Sequence, residues 1–108
     1  MTPQVFQILL SLADQPLHGY AIITDIESRT DGEIRLTAST LYDALARLVD
    51  QELITELDAP PAGAVDHDAR RRYYALSARG RDAVKSEASR LMKMVEMARA
   101  KRLAPRKR

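Results

Sequence analysis

Residues 36–54 read LTASTLYDALARLVDQELI, a stretch that sets four hydroxyls and one long base among three acids. Thr37, Ser39 and Thr40 fall where a helix would begin, and hydroxyls and unpaired backbone N–H groups at a helix start suit a phosphate. Tyr42, Asp43 and Arg47 fall away from the apolar stripe formed by Leu41, Ala44, Leu45 and Leu48. A phenol can donate to a phosphate, an arginine can meet a phosphate or a guanine edge, and a carboxylate can accept from a cytosine amino group. That is recognition chemistry, with no bond made or broken. Each residue also has a plainer use: Thr37 or Ser39 as a helix cap, Tyr42 packed on a neighbouring strand, Arg47 paired with Asp43 one turn earlier. Arg70, Arg71 and Arg72 form a second basic group. Strand alternation sends Arg71 to the face opposite Arg70 and Arg72, so at least one phosphate contact is expected from the run. Neutralisation of Asp66 and Asp68 is the competing use.

Catalysis has no comparable set of residues. There is no cysteine, which excludes disulfides and thiolate metal sites. The two histidines lack an evident partner arrangement, and no glycine-rich phosphate loop is present, so an enzyme is not expected. Asp66, His67 and Asp68 are adjacent, but three neighbouring polar residues in a loop do not close a metal site, and neither metal nor cofactor is expected.

The charge is unevenly spread. Residues 1–69 carry three bases against twelve acids, whereas residues 70–108 carry fourteen bases against three acids. Opposite halves imply either a polyanion partner for the basic part or mutual attraction between the two. With 45% hydrophobic residues in 108, the chain can build one modest core, and a chain this small often gains stability from a second copy. No apolar run approaches membrane-spanning length and no secretory leader pattern opens the chain, so a soluble cytoplasmic protein is expected.

The elements that must hold these residues can be read from periodicity. Val5, Ile8, Leu9 and Leu12 share one helical face over residues 3–13, with Pro3 in the first turn. Pro16 interrupts, and a second helix over about 18–29 buries Ile22, Ile23 and Ile26, with His18 at its start. Thr30, Asp31 and Gly32 stop it, Gly32 tolerating a left-handed turn. EIRL (33–36) alternates as a short strand, and the helix of the opening stretch follows. LITELD (53–58) and RRRYYAL (70–76) read as two strands of a hairpin, with a long loop over 59–69 rich in Ala, Pro, Gly and Asp. Tyr73 and Tyr74 are expected in the core. Ser77 caps a last helix running to about Leu103, whose Val84, Ala88, Leu91, Val95 and Ala98 make a heptad seam broadened by Met92, Met94 and Met97. KRLAPRKR closes the chain as a basic tail.

This order, mainly α with a small β-hairpin wing, is that of a winged helix-turn-helix plus a long C-terminal helix. In that architecture the third helix enters the major groove of DNA and the hairpin grips phosphates. LHGYAI (17–22), GEIRL with TASTLYDALARL (32–48), QELI (51–54) and RRRYYALSARGR (70–81) together resemble the PadR family of bacterial transcriptional regulators across nearly the whole chain. The chain departs from the family pattern in having Ala38 and Ser39 where Pro-Gly often precedes Thr-Leu-Tyr. The length resembles the family's short form, with one C-terminal helix. The resemblance implies a homodimeric repressor on an inverted-repeat operator, often released by a small ligand, and it adds Tyr20 as a residue near the DNA backbone.

The expected division is a DNA-binding domain over 1–76, a dimerisation helix over 77–104 and a basic tail over 105–108. Val84, Ala88, Leu91, Met94, Val95 and Ala98 would form the dimer interface, and its methionines could shape an adaptable pocket for a small apolar or aromatic effector. The alternative is a protein-interaction adaptor that uses the same scaffold and heptad helix without sequence-specific DNA binding.

Overall fold

Each helix begins at a side-chain cap that the sequence supplies. The computed structural model describes residues 1–63 and 71–105. Thr2 Oγ1 accepts from the Val5 N–H at 3.1 Å and starts α1 (Pro3–Ser11), with Pro3 where a helix needs no donor. His18 Nδ1 accepts from the Ala21 N–H at 3.2 Å and starts α2 (Gly19–Arg29). Thr37 Oγ1 accepts from Thr40 at 3.1 Å and starts α3 (Ala38–Asp50). Ser77 Oγ accepts from Gly80 at 2.9 Å and starts α4 (Ala78–Ala100). Such caps each contribute about 1 kcal/mol.

The core lies where the first three helices meet. Ile8, Leu9 and Leu12 face Ile22 and Ile26 of α2 and Leu41, Ala44, Leu45 and Leu48 of α3, with Ile54 and Tyr74 closing one end. Each large aliphatic side chain removed from water contributes about 1.5–3 kcal/mol. Arg29 ties α1 to α2 beside this core: Nε meets Asp25 at 2.8 Å, and Nη2 donates to the Gln7 carbonyl at 3.0 Å and to Ser11 Oγ at 2.7 Å. Burial alone would raise the Asp25 carboxyl, but the Arg29 and Ser11 hydrogen bonds and the guanidinium charge outweigh it and hold the group below its ordinary range.

The sheet has three antiparallel strands in the order β1 (Leu17–His18), β3 (Tyr73–Leu76), β2 (Ile54–Glu56). Leu17 pairs with Tyr74 and His18 with Tyr73 on one side, while Ile54, Thr55 and Glu56 pair with Leu76, Ala75 and Tyr74 on the other. This corrects the expectation of a strand at EIRL. After α2 the chain turns through Asp31 and Gly32, both at positive φ, and the Glu33 and Ile34 N–H groups are taken by the Thr30 carbonyl and hydroxyl. Donors that a ladder would need are already used, although Ile34 and Leu36 still pack on the core. The hairpin strands are also shorter than 53–58 and 70–76, and residues 64–70 of the loop lie outside the described residues.

The first turns of α4 are fastened to the end of α3. Glu52 adopts positive φ, the Leu53 N–H returns to the Leu48 carbonyl, and Ser77 bonds both the Glu52 and Leu53 carbonyls. Gly80 faces this turn so closely that a Cβ there would run into the Leu53 carbonyl oxygen and stand 2.7 Å from Leu76 Cδ1. Farther along, Val84 packs on the core, and Glu87 is 9% exposed and bound to Arg90 at 2.6 Å. From Ser89 to Met97 the helix is exposed. It ends at Ala100, somewhat before Leu103, because Arg102 adopts positive φ and the Leu103 N–H turns back to the Ala98 carbonyl.

Candidate nucleic-acid interface

On α3 the residues divide cleanly by side. Leu41, Ala44, Leu45 and Leu48 are buried, whereas Ser39, Thr40, Tyr42, Asp43, Ala46 and Arg47 are exposed. The division follows from the 3.6-residue period: the stripe that satisfies the core leaves the polar residues on the opposite side. Among the described residues, Ser39, Asp43, Arg47 and the Tyr42 hydroxyl have no hydrogen-bond or ion-pair partner. In particular, the pairing of Arg47 with Asp43 does not form. Arg47 borders a groove that is also lined by Met1, Thr2 and Val5 at the start of α1.

At the head of α3 the three hydroxyls separate in role. Thr37 is fully used, accepting from the Thr40 N–H and standing 2.9 Å from Thr40 Oγ1. Ser39 is not the cap, and its hydroxyl faces outward. The Ala38–Ser39 departure leaves the helix start intact because Thr37, one residue earlier, closes the first turn.

The head of α2 joins this surface. Tyr20 is 68% exposed, so its ring is not core. Beside it the hydroxyl end of Tyr42 rests on the backbone of Gly19. Tyr42 remains 45% exposed, half seated on α2 and half open. Its hydroxyl also lies close enough to Tyr74 to help raise that phenol; the larger causes are burial and the Glu56 carboxylate, with Arg72 opposing them. Tyr42 therefore stands at the junction of α3, α2 and the sheet.

The wing arginines sit at the other side of that junction. Arg71 Nη1 lies 2.7 Å from His18 Nε2 and 3.2 Å from Nδ1, and the His18 ring meets Tyr73 edge-on at 5.3 Å. A neutral imidazole has one acceptor nitrogen, so His18 can accept from the Ala21 N–H or from Arg71, not from both at once. Arg72 points outward, with Nε 3.5 Å from Glu56. Tyr73 and Tyr74 are buried, as expected. Arg70, and with it Asp66, His67 and Asp68, lies outside the described residues.

Thus the structure brings Tyr20, Tyr42 and Arg71 around the α2–β1 junction, leaves Arg72 beside Glu56 on the β2 side, and sets Thr37, Ser39, Thr40, Asp43 and Arg47 along α3. Three further residues were not anticipated. Arg35, just before α3, is exposed and 3.6 Å from Glu27. Ala46 offers a small exposed side chain between Asp43 and Arg47, which permits close approach. Gly19 carries the Tyr42 ring. Only Arg35 had a signal in the sequence, as a lone base in an acidic stretch.

The anticipated dimer residues fall in two groups. Val84 is half-buried against the core and Ala88 is half-buried one turn later, and Leu91, Met94 and Val95 are exposed on the same side of α4. Ala98 is half-buried where the C-terminal turn folds back. Among the described residues no group of three metal-ligating side chains occurs, and no helix is long and apolar enough to cross a membrane.

Comparison with known proteins agrees with this fold. The model of the transcriptional regulator PadR-like family matches residues 8–86. An uncharacterized 37.1 kDa protein in transposon TN4556 of Streptomyces fradiae is 40% identical over 81 residues, covering 75% of this chain and 21% of that protein. The chain thus spans about a fifth of the length of that curated relative. A PadR family transcription regulator from Clostridium difficile R20291 superposes with a TM-score of 0.75 at 22% identity, covering 92% of this chain and 97% of that one. Bacillus subtilis PadR, solved in complex with operator DNA, gives a TM-score of 0.65 at 20% identity over 82% of this chain and 48% of that one. At such identities the likeness to both structures is one of fold.

Proposed function

The chain belongs to the PadR-like family of transcriptional regulators, and from that premise we propose that it is a homodimeric repressor of an inverted-repeat operator. It regulates transcription and is not an enzyme. In this reading α3 lies in the major groove, which admits one helix. Ser39, Thr40, Tyr42, Asp43 and Arg47 meet the DNA, with Thr37 holding the helix start and Tyr20 beside the backbone. Arg70, Arg71 and Arg72 bind flanking phosphates from the wing. The observation that carries the reading is the exposed side of α3, where Ser39, Tyr42, Asp43 and Arg47 have no partner among the described residues. The operator DNA held by Bacillus subtilis PadR supports it by analogy of fold.

The distal half of α4 supplies the second copy. Leu91, Met94 and Val95 continue the side that Val84 uses against the core, and they remain exposed large apolar side chains. Pairing there gives two reading helices related by a two-fold axis, and an operator with half-sites about 34 Å apart would match them. Residues 1–76 are then the DNA-binding domain, 77–104 the dimerisation helix and 105–108 a basic tail. Met92, Met94 and Met97 give this seam adaptable walls, suited to a small apolar or aromatic effector that releases the repressor. The setting is the cytoplasm.

Fluorescence anisotropy across a salt series, on the DNA upstream of its own gene, tests the proposal. Binding tighter than to random duplex, weakening steeply with salt, is expected. Equal binding to both duplexes would count against an operator-specific regulator.

A further inference from the structure

Gly19 is buried at the head of α2, yet its backbone does not call for glycine, since its φ is negative and helical. Glycine early in a helix lowers helix stability relative to alanine, so some other demand favours its presence. The demand is space. A Cβ at this position would overlap the Tyr42 hydroxyl and stand 2.8 Å from Cζ and 3.3 Å from Cε1. The approach to Cζ is shorter than any ordinary carbon contact, so the ring would have to move.

What rests on Gly19 is not a core side chain. Tyr42 is half exposed on the outer side of α3, and its hydroxyl has no partner among the described residues. The seat lies between His18, which caps α2 and pairs with Tyr73 of the sheet, and Tyr20, which is exposed. One flat backbone position thus fixes the ring of the reading helix against both α2 and the wing strands.

We propose that Gly19 is a positioning residue for DNA recognition: the side chain it lacks is the seat that holds the Tyr42 ring at the seam between reading helix and wing, its hydroxyl directed to a backbone phosphate. This rests on the reading of α3 as the DNA-facing helix. Gly19 touches no DNA in this arrangement and acts through Tyr42 alone.

A double-mutant cycle on operator affinity tests it, using Gly19→Ala, Tyr42→Ala and the double variant in the full chain. Loss of one phenol–phosphate bond in each half-site, about tenfold apiece, should weaken operator binding about a hundredfold in Tyr42→Ala. Gly19→Ala should give a similar loss while the thermal midpoint of Tyr42→Ala is kept or raised when alanine is added at 19. The double variant should bind no more weakly than Tyr42→Ala. Additive losses would overturn the proposal while leaving the DNA-facing reading of α3 in place. No loss in Tyr42→Ala would remove that reading of Tyr42 and the proposal together. If Gly19→Ala alone does not fold, Tyr42→Ala should restore folding by clearing the overlap; failure to restore it would equally overturn the seat.

Discussion

Truncating Leu91 and Val95 to alanine should separate the two copies without unfolding either. Leu91 is 37% exposed and Val95 38% exposed in the single chain. Full burial of such a side chain is worth about 1.5–3 kcal/mol, so the third left to bury contributes about 0.7 kcal/mol each. The two-fold relation counts every substitution twice, giving four lost side chains and close to 3 kcal/mol per dimer. Dimer dissociation should therefore strengthen roughly a hundredfold. The domain itself should hold, because Val84 and the Ser77 bonds to the Glu52 and Leu53 carbonyls still fasten α4 to its own core and alanine is a better helix former than valine. Sedimentation equilibrium over a dilution series reads the dissociation constant, and circular dichroism checks the fold. An unchanged dissociation constant in a well-folded variant would refute the assignment of the distal α4 seam as the interface.

Three further outcomes follow from the packing and the charges. Gly80→Ala should destabilise by about 2–3 kcal/mol, since a Cβ meets the Leu53 carbonyl and neither backbone can yield; thermal unfolding should show a midpoint lower by about 8–20 °C. Acid stability should follow Glu87 and Asp25. The Arg90 hydrogen bond holds Glu87 below its ordinary 4.5, and Arg29 and Ser11, against burial, hold Asp25 below its ordinary 3.8. Depressed folded values mean stability that is present above those ordinary values and lost as pH falls below them, so Glu87→Gln and Asp25→Asn should each flatten denaturant midpoints measured between pH 5 and pH 3. Removing KRLAPRKR should reduce the slope of log affinity against log salt, and an unchanged slope would mean that the tail makes no phosphate contact.

Local physics made much of this protein legible in its sequence. The stripe Leu41, Ala44, Leu45, Leu48 fixed both the core side of α3 and, by subtraction, the residues left to face outward. Ser77 announced the start of α4, and Thr37 and Ser39 between them bracketed that of α3, where Thr37 is the cap. What escaped notice depended on long-range partners. A two-residue strand at Leu17–His18 has no periodicity of its own and exists because Tyr73 and Tyr74 pair with it. EIRL alternates as a strand should, yet Thr30 takes its donors first. Arg47 and Asp43 have the spacing of an i,i+4 pair, but the two stay unpaired among the described residues. Gly19 and Tyr42 are far apart in the chain, and only the packing of α2 on α3 brings the ring to its seat.

Recognition by the exposed side of α3 is tested most directly by selecting duplexes from a randomised pool with the wild-type chain and with Asp43→Ala. The wild type should enrich a two-fold symmetric sequence with half-sites about one duplex turn apart. The variant should enrich a different base preference at one position of each half-site, with overall affinity changed less than the preference. An identical preference with uniformly altered affinity, or no enrichment by the wild type, would contradict the reading of DNA by this helix.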